Sequence, residues 1–471
     1  MEEHRSREAW LPLVAGLAWL AAGTSGGMLA LLLSLVPGVL LVATGAGELL
    51  WSDDHRLLQF GALGGALGVV LALPGLLILG FWAALGVGLL SAASCVAVGT
   101  LSLRSVPDTE RVPTPRSGVA MAAKVALDEA VLSTMSVTRS LPRGERAVRV
   151  RAEVDDALEI FASRGWLEKP ESYHQTPIPL DAPRIRQAES RAIAYEHLSF
   201  DSEYEPHAEE PGRERWLGYT KNQTAHAWVL RHPGPARPWL VCIHGYRMGS
   251  PLMDISAFDP RIYHQKLGLN LLLPVLPLHG ERRYGRRSGD GFMGAHPLDT
   301  VHAEAQAIWD IRRLLSWVRA QDAPAIGVFG LSLGGYSAAL LACVEQDLAC
   351  SIPGIPATSF ERLLFRHAHD AMVREFLRAG LTEQILSRVF RPISPLVLEP
   401  KVAPEGRAIF GGVADRLVPP DQVRDLHEHW DEPPIEWYQG SHLSFARERG
   451  VKNLIETTLR QNGIVWSASS S

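Results

Sequence analysis

The sequence predicts an α/β chain: a mostly parallel sheet with helices on both faces, preceded by an all-α transmembrane segment. Three observations carry this. Residues 1–103 contain two long uncharged blocks. Residues 104–193 begin as a proline- and charge-rich linker and continue in helical patterns. From about Ala194 to residue 471, short β-rich runs alternate with amphipathic helical patterns. Alternation of that kind implies βαβ units, and hence parallel strands covered on both faces.

The first region comes from charge and length. No charged residue occurs from Ala9 to Gly47, or from Leu57 to Leu103. A helix needs about 20 apolar residues to cross a bilayer, so each block suffices for two crossings and a turn. Glycines at 23–27 mark one turn and Pro74-Gly75 the other. The polar stretch 52–56 joins the blocks. Four helices would place Arg5, Arg7, Arg56, Arg104, Arg111 and Arg116 on one face, with two uncharged turns opposite. By the positive-inside rule that face, and everything after residue 104, is cytoplasmic. The small residues of "GALGGALG" (61–68) suit close helix packing in lipid. Two alternatives stand beside this reading. Residues 1–23 have the make-up of a signal peptide, and the whole segment can be read as a soluble bundle, although no helix here has a polar face.

In the middle region, 104–118 is the linker. Residues 120–135 and 151–166 have helical spacing, the second ending at Arg164-Gly165. These helices either lie on the membrane or pack on the last domain. The formal net charge of -5 argues against a nucleic-acid partner. The four cysteines (Cys95, Cys242, Cys343 and Cys350) form no CxxC pair, so neither a zinc site nor a disulfide framework is expected. They read as buried free thiols.

The chemistry lies in the last region. "GLSLGG" (330–335) matches G-x-S-x-G, with a strand pattern before it and a helix pattern after it. That setting makes Ser332 a candidate nucleophile on a strained turn, where side chains at the glycine positions would strike neighbouring backbone. A serine hydroxyl needs a base to take its proton. His442 follows the last strand pattern, "PIEWY", and Asp415 follows the preceding one, "RAIFGG". The order serine, aspartate, histidine suits such a sheet, with the aspartate holding the imidazole in one tautomer. Asp421 and Asp425 are alternatives for the acid but fall inside a helix pattern. His427 and His429 are alternatives for the base but precede the last strand. The oxyanion donors are assigned to the N–H groups of Leu333 and of Tyr246, the latter in "HGYR" after the strand "WLVCI".

Residues 194–464 resemble the α/β-hydrolase family through "HGYR", "GLSLGG", "GGVADRLVP" and "GSH". The resemblance implies a serine hydrolase working through an acyl-enzyme, with no metal and no organic cofactor. One departure stands out: the loop after "HG" lacks the further glycines of the HGGG-type lipases and esterases.

Two segments bear on the substrate. The loop 277–294 carries Arg282, Arg283, Arg286 and Arg287, whose forks suit phosphate or carboxylate. It is read either as a grip on an anionic lipid head group or as a solvated loop paired to nearby carboxylates. Residues 358–390 form an amphipathic helical insert, read as a lid or a plain excursion. The expected function is a multi-pass membrane hydrolase cleaving an acyl ester or lipid, of esterase or lipase type. The alternatives are a non-catalytic scaffold on the same fold, or a serine peptidase of prolyl-oligopeptidase type, for which no propeller-like repeats are seen.

Overall fold

The computed structural model describes residues 2–50, 55–106, 109–136 and 142–466. Residues 52–54 of the expected polar joint, Pro107 and Asp108 of the linker, and the side chains of Arg5 and Arg7 lie outside the described part. Two compact units divide the chain. One comprises residues 1–138, 412–421 and 437–448, and the other comprises the rest.

The first unit is built on five helices: α1 (Glu2–Ser25), α2 (Gly27–Leu50), α3 (His55–Ile78), α4 (Phe81–Arg104) and α5 (Val119–Ser136). Over their described residues α2, α3 and α4 are each long and apolar enough to cross a membrane. The first of the four expected crossings, α1, matches them in length but carries charge up to Glu8, so its apolar part is shorter. The first turn falls at Gly26-Gly27, where Gly27 takes φ +84°, at the end of the glycine stretch. The second differs from expectation. It lies at Leu79-Gly80, and α3 runs through Pro74 and Gly75. A proline is tolerated inside an apolar helix, and the chain reverses where Gly80 adopts φ +84°.

Small residues set the helix spacing. A Cβ on Gly64 would lie 2.8 Å from the Leu40 side chain on α2, and one on Gly65 would lie 2.6 Å from Cys95 Sγ on α4. The Trp19 indole donates to Ser91 Oγ at 2.9 Å, tying α1 to α4. The outer faces are apolar: Leu77 is 92% and Trp82 80% exposed. Such a surface is compatible with a membrane anchor. Helix α5 crosses α4 where Gly99 has no side chain, because a Cβ there would strike the Ala122 carbonyl. Its Ala126 and Ala130 join Leu58, Ala62, Val98 and Leu101 in one apolar cluster.

The second unit begins with α6 (Glu145–Ser163) and then builds the sheet. Its strands are β1 (Arg184–Ser190), β2 (Ile193–Asp201), β3 (Thr224–Leu230), β4 (Trp239–Ile243), β5 (Asn270–Pro274), β6 (Ile326–Leu331), β7 (Cys350–Gly354), β8 (Ile409–Gly412) and β9 (Ile435–Tyr438). Their order is β1-β2-β3-β5-β4-β6-β7-β8-β9. The β1-β2, β2-β3 and β3-β5 pairs are antiparallel, and the pairs from β5 through β8 are parallel. Strands β4 to β7 are buried throughout, as continuous apolar runs covered on both faces should be.

The helices fill the crossovers. Short α7 (Arg213–Leu217) and α8 (Pro251–Ala257) flank β3 and β4, and α9 (Pro297–Arg319) joins β5 to β6. Helix α10 (Leu333–Val344) follows β6. The insert 358–390 forms three short helices: α11 (Phe360–His367), α12 (Asp370–Arg378) and α13 (Glu383–Phe390). Phe360 of α11 stacks on Tyr336 of α10 with ring centroids 4.1 Å apart, so the insert is packed onto the helix that follows Ser332. Helix α14 (Pro420–His429) lies between β8 and β9, and α15 (Arg449–Gln461) ends the fold.

Candidate active site

Ser332 stands at the turn between the buried β6 and α10. Its backbone has φ 58° and ψ -112°, a conformation that side-chain-bearing residues rarely adopt. The turn is held because its N–H donates to the Gly354 carbonyl of β7 at 2.9 Å, while its carbonyl accepts from Tyr336 at 3.0 Å. The flanking glycines are steric necessities. A Cβ on Gly330 would strike the Gly334 carbonyl, one on Gly334 would lie 2.6 Å from the His244 carbonyl, and one on Gly335 would lie 2.7 Å from the Gly354 carbonyl.

The loop after β4 passes beside the serine. A Cβ on Gly245 would be 3.5 Å from Ser332 Cβ and 3.3 Å from the Leu331 carbonyl. The loop is fixed by His244, whose Nε2 accepts from the Leu276 N–H at 3.1 Å. Tyr246 follows Gly245, with the Arg247 guanidinium 4.8 Å above its ring centroid. Leu333 opens α10, so both expected oxyanion donors belong to segments bordering Ser332.

Asp415 and His442 are brought together. The ring Nδ1 lies 2.6 Å from Asp415 Oδ2, and both residues are buried. A carboxylate only accepts, so Nδ1 carries the proton and Nε2 of the neutral ring keeps its lone pair. The other oxygen, Asp415 Oδ1, accepts from the N–H groups of Leu417 at 2.9 Å and Val418 at 2.8 Å. Burial pushes the imidazole down. Asp415, by charge and hydrogen bond, and Asp128, by charge, outweigh it, so His442 titrates above the ordinary histidine value.

A further acid, Asp128, stands beside the pair. It lies buried on α5 and accepts from the N–H groups of His442 at 2.9 Å and Arg416 at 3.1 Å, both on Oδ2. Oδ1 takes the Leu443 N–H at 3.4 Å. The sequence did hold a signal. Asp128 and Glu129 are adjacent acids in a helix otherwise rich in alanine and valine, a pattern that needs partners when buried. Three of the alternative acid and base residues, Asp425, His427 and His429, are engaged elsewhere. Asp425 pairs with Arg362, and His427 and His429 meet the carbonyls of Pro433 and Leu398.

The arginine loop divides. The Arg282 guanidinium is fully buried, 2.8 Å from Asp310 and 3.0 Å from each of the Val275 and Asn222 carbonyls. The expectation that it reaches a substrate is therefore corrected: it braces the sheet from inside. Arg283, Arg286 and Arg287 are exposed. The loop itself is pinned by Asp290, which receives Arg247 at 2.5 Å and the Arg287 N–H at 2.9 Å.

One group with the donor types of a metal site occurs among the described residues. Donor atoms of His197, His226 and Glu281 lie within 4.8 Å of one another. Burial holds His226 down at about 3, and the charges of His197, Arg282, Arg184 and Arg186 add to this. The two rings share a 3.0 Å hydrogen bond.

No family model matches the chain. It is 43% identical over 358 residues to an uncharacterized protein of Mycobacterium tuberculosis, Rv2627c in strain H37Rv and MT2702 in strain CDC 1551. The match covers 76% of this chain and 86% of the relative. The chain belongs to the family of these mycobacterial proteins. Solved structures similar to it include acetyl xylan esterase 1 from Thermoanaerobacterium sp., at 15% identity and a TM-score of 0.44, covering 63% of this chain and 98% of that one. Another is an acetyl xylan esterase from Paenibacillus sp., at 16% identity and a TM-score of 0.43, covering 71% and 99%. The sheet order and the turn after β6 are those of an α/β-hydrolase fold.

The strain at Ser332 has a measurable consequence. A residue forced into such a conformation costs about 1–3 kcal/mol, which glycine avoids and alanine does not. Ser332→Gly should therefore unfold at a higher temperature than Ser332→Ala, by an amount equivalent to about 1–2 kcal/mol. Scanning calorimetry of both variants in one detergent checks this, and an alanine variant as stable as the glycine one would contradict it.

Proposed function

We propose that the chain is a membrane-anchored serine hydrolase that cleaves an acyl ester through an acyl-enzyme on Ser332. The observation that carries the reading is the buried, 2.6 Å Asp415–His442 pair, following β8 and β9 in the order the chemistry needs after a serine on a strained turn. An imidazole so held is a base with one nitrogen committed and the other free.

In this reading Ser332 Oγ attacks the ester carbonyl as His442 Nε2 takes its proton. The Leu333 and Tyr246 N–H groups receive the developing oxyanion. The tetrahedral intermediate collapses, His442 returns the proton to the leaving alkoxide, and the alcohol departs. Water then attacks the acyl-enzyme with the same base, releasing the acid and restoring Ser332. Asp415 stabilises the imidazolium in both halves. The apolar faces of α2, α3 and α4 support anchoring in lipid, and the exposed Arg286 and Arg287 support recognition of an anionic group on the substrate.

A fluorophosphonate probe should label the wild type and not Ser332→Ala. A wild type that stays unlabelled would leave the scaffold reading in its place. With a model ester, kcat/KM should rise with pH through the raised His442 value, because only the neutral ring is a base. Asp415→Asn removes both the charge and the tautomer control. The midpoint should then fall and the rate drop by about 10³–10⁴.

Replacing Arg286 and Arg287 by alanine should raise KM several-fold for an anionic lipid ester while sparing a small neutral ester. The loss should shrink at high salt, as screened contacts do. Equal losses on both esters would point to damaged packing instead.

The arginine bias of the sequence supports a cytoplasmic catalytic part. Cysteines introduced at Ser25 should then react with an impermeant thiol reagent on intact cells, and those at Thr114 should not. The reverse pattern would place the catalytic part outside.

A further inference from the structure

Helix α5 meets two things within its own unit. On one side Gly99 of α4 admits the Ala122 carbonyl, and Ser102 of α4 donates to the Glu129 carboxylate. On the other, Met121 and Val125 pack against Val413 and Ala414, next to Asp415 in the chain. Between these contacts lies Asp128, fully buried, accepting the N–H groups of Arg416, His442 and Leu443. Further bonds fix the same segments. Ser441 Oγ donates to the Lys124 carbonyl at 2.9 Å, Lys124 Nζ pairs with Glu448 at 2.7 Å, and Arg416 Nε pairs with Glu129 at 2.8 Å.

We infer that Asp128 is a positioning residue for the His442–Asp415 pair, supplied by the membrane unit, so that α5 is part of the catalytic apparatus as well as of the anchor. The inference rests on the serine-hydrolase reading above. Its basis is geometric. The backbone of His442 and the residue after Asp415 converge on one side chain, and a single carboxylate thereby sets the spacing of the two loops that carry base and acid. The second basis is charge. The groups facing the imidazole pair are Asp415 and Asp128, with Arg416 and Glu129 paired beside them and the Tyr438 hydroxyl nearby. Burial and the Asp415 charge raise the Asp128 carboxyl to about 7, against the pull of His442 and of the N–H donors. An imidazolium forming at His442 favours the ionised carboxylate, so the two charges support each other when the proton arrives.

The test uses the full-length protein in detergent and measures the rate of fluorophosphonate labelling against pH. Ser332→Ala is the control. Labelling that is absent in the wild type, or that persists in Ser332→Ala, rejects the serine reading itself, whatever Asp128 does. With that control in place, Asp128→Asn keeps the size and one acceptor oxygen but removes the charge. The pH midpoint should fall by about one unit, and the plateau rate by about tenfold or more as the loops lose their register. Asp128→Glu, which restores a carboxylate, should return the midpoint toward the wild type. If Asp128→Asn does not fold, Asp128→Ser, an uncharged acceptor, takes its place in the same measurement. A folded uncharged variant with the wild-type midpoint and plateau overturns the inference. So does one whose melting temperature drops while its midpoint stays fixed.

Discussion

Three backbone N–H groups from two loops end on one buried carboxylate, and the geometry of the His442–Asp415 pair depends on it. An N–H buried without an acceptor costs about 1–3 kcal/mol. The segments after β8 and β9 therefore have strong reason to stay where Asp128 holds them. The carboxylate in turn stays because α5 is fixed to α3 and α4 through Ala126, Ala130 and the gap at Gly99. The chain of causes runs from a glycine in an apolar helix to the orientation of an imidazole. No step in it uses the solvent-exposed surface, so salt should disturb it little.

The turn at Ser332 depends on a different constraint, backbone crowding. The strands β4 and β6 run parallel in register, and the chain must leave β6 for α10 directly over the end of β4. Only glycine fits at 330 and 334, and the serine between them is held in a strained conformation by bonds to Gly354 and Tyr336. Strain of this kind persists only when the surroundings over-determine it. Here they do, because β6 and α10 are buried along their whole length.

Much of this was legible in the sequence, and the reasons differ by residue. The uncharged blocks and the run of β and helical patterns gave the fold class, since both follow from periodicity and length. Ser332, Asp415 and His442 stand out as candidates because each follows a strand pattern in a fixed order, and the structure joins the last two by a hydrogen bond. The turn at Leu79-Gly80 was misplaced at Pro74-Gly75, since proline breaks helices in water but is tolerated within an apolar span. Arg282 looked like its exposed neighbours because a buried arginine and a solvated one are written with the same letter. Its partner, Asp310, lies 28 positions away on α9. Asp128 was missed for the same reason at greater range: its partners are 288 and 314 residues on. A helix pattern reports which face is apolar, but not what an acid on that face will meet.

These long-range partners change what the N-terminal helices are for. If α1 to α4 served only to hold the chain at a membrane, α5 could be a plain linker and its composition would be free. Instead it carries two buried acids, Asp128 and Glu129, in a helix whose other buried side chains are apolar apart from Ser133, and burying unpaired acids is costly. Glu129 is matched by Arg416 and Ser102, and Asp128 by three N–H groups, so the acids are satisfied only when the segments bearing Asp415 and His442 are in place. The dependence is mutual. Those segments lose their acceptors without α5, and α5 loses its partners without them. A unit that includes the N-terminal helices and two distant pieces of chain follows directly from that exchange of hydrogen bonds.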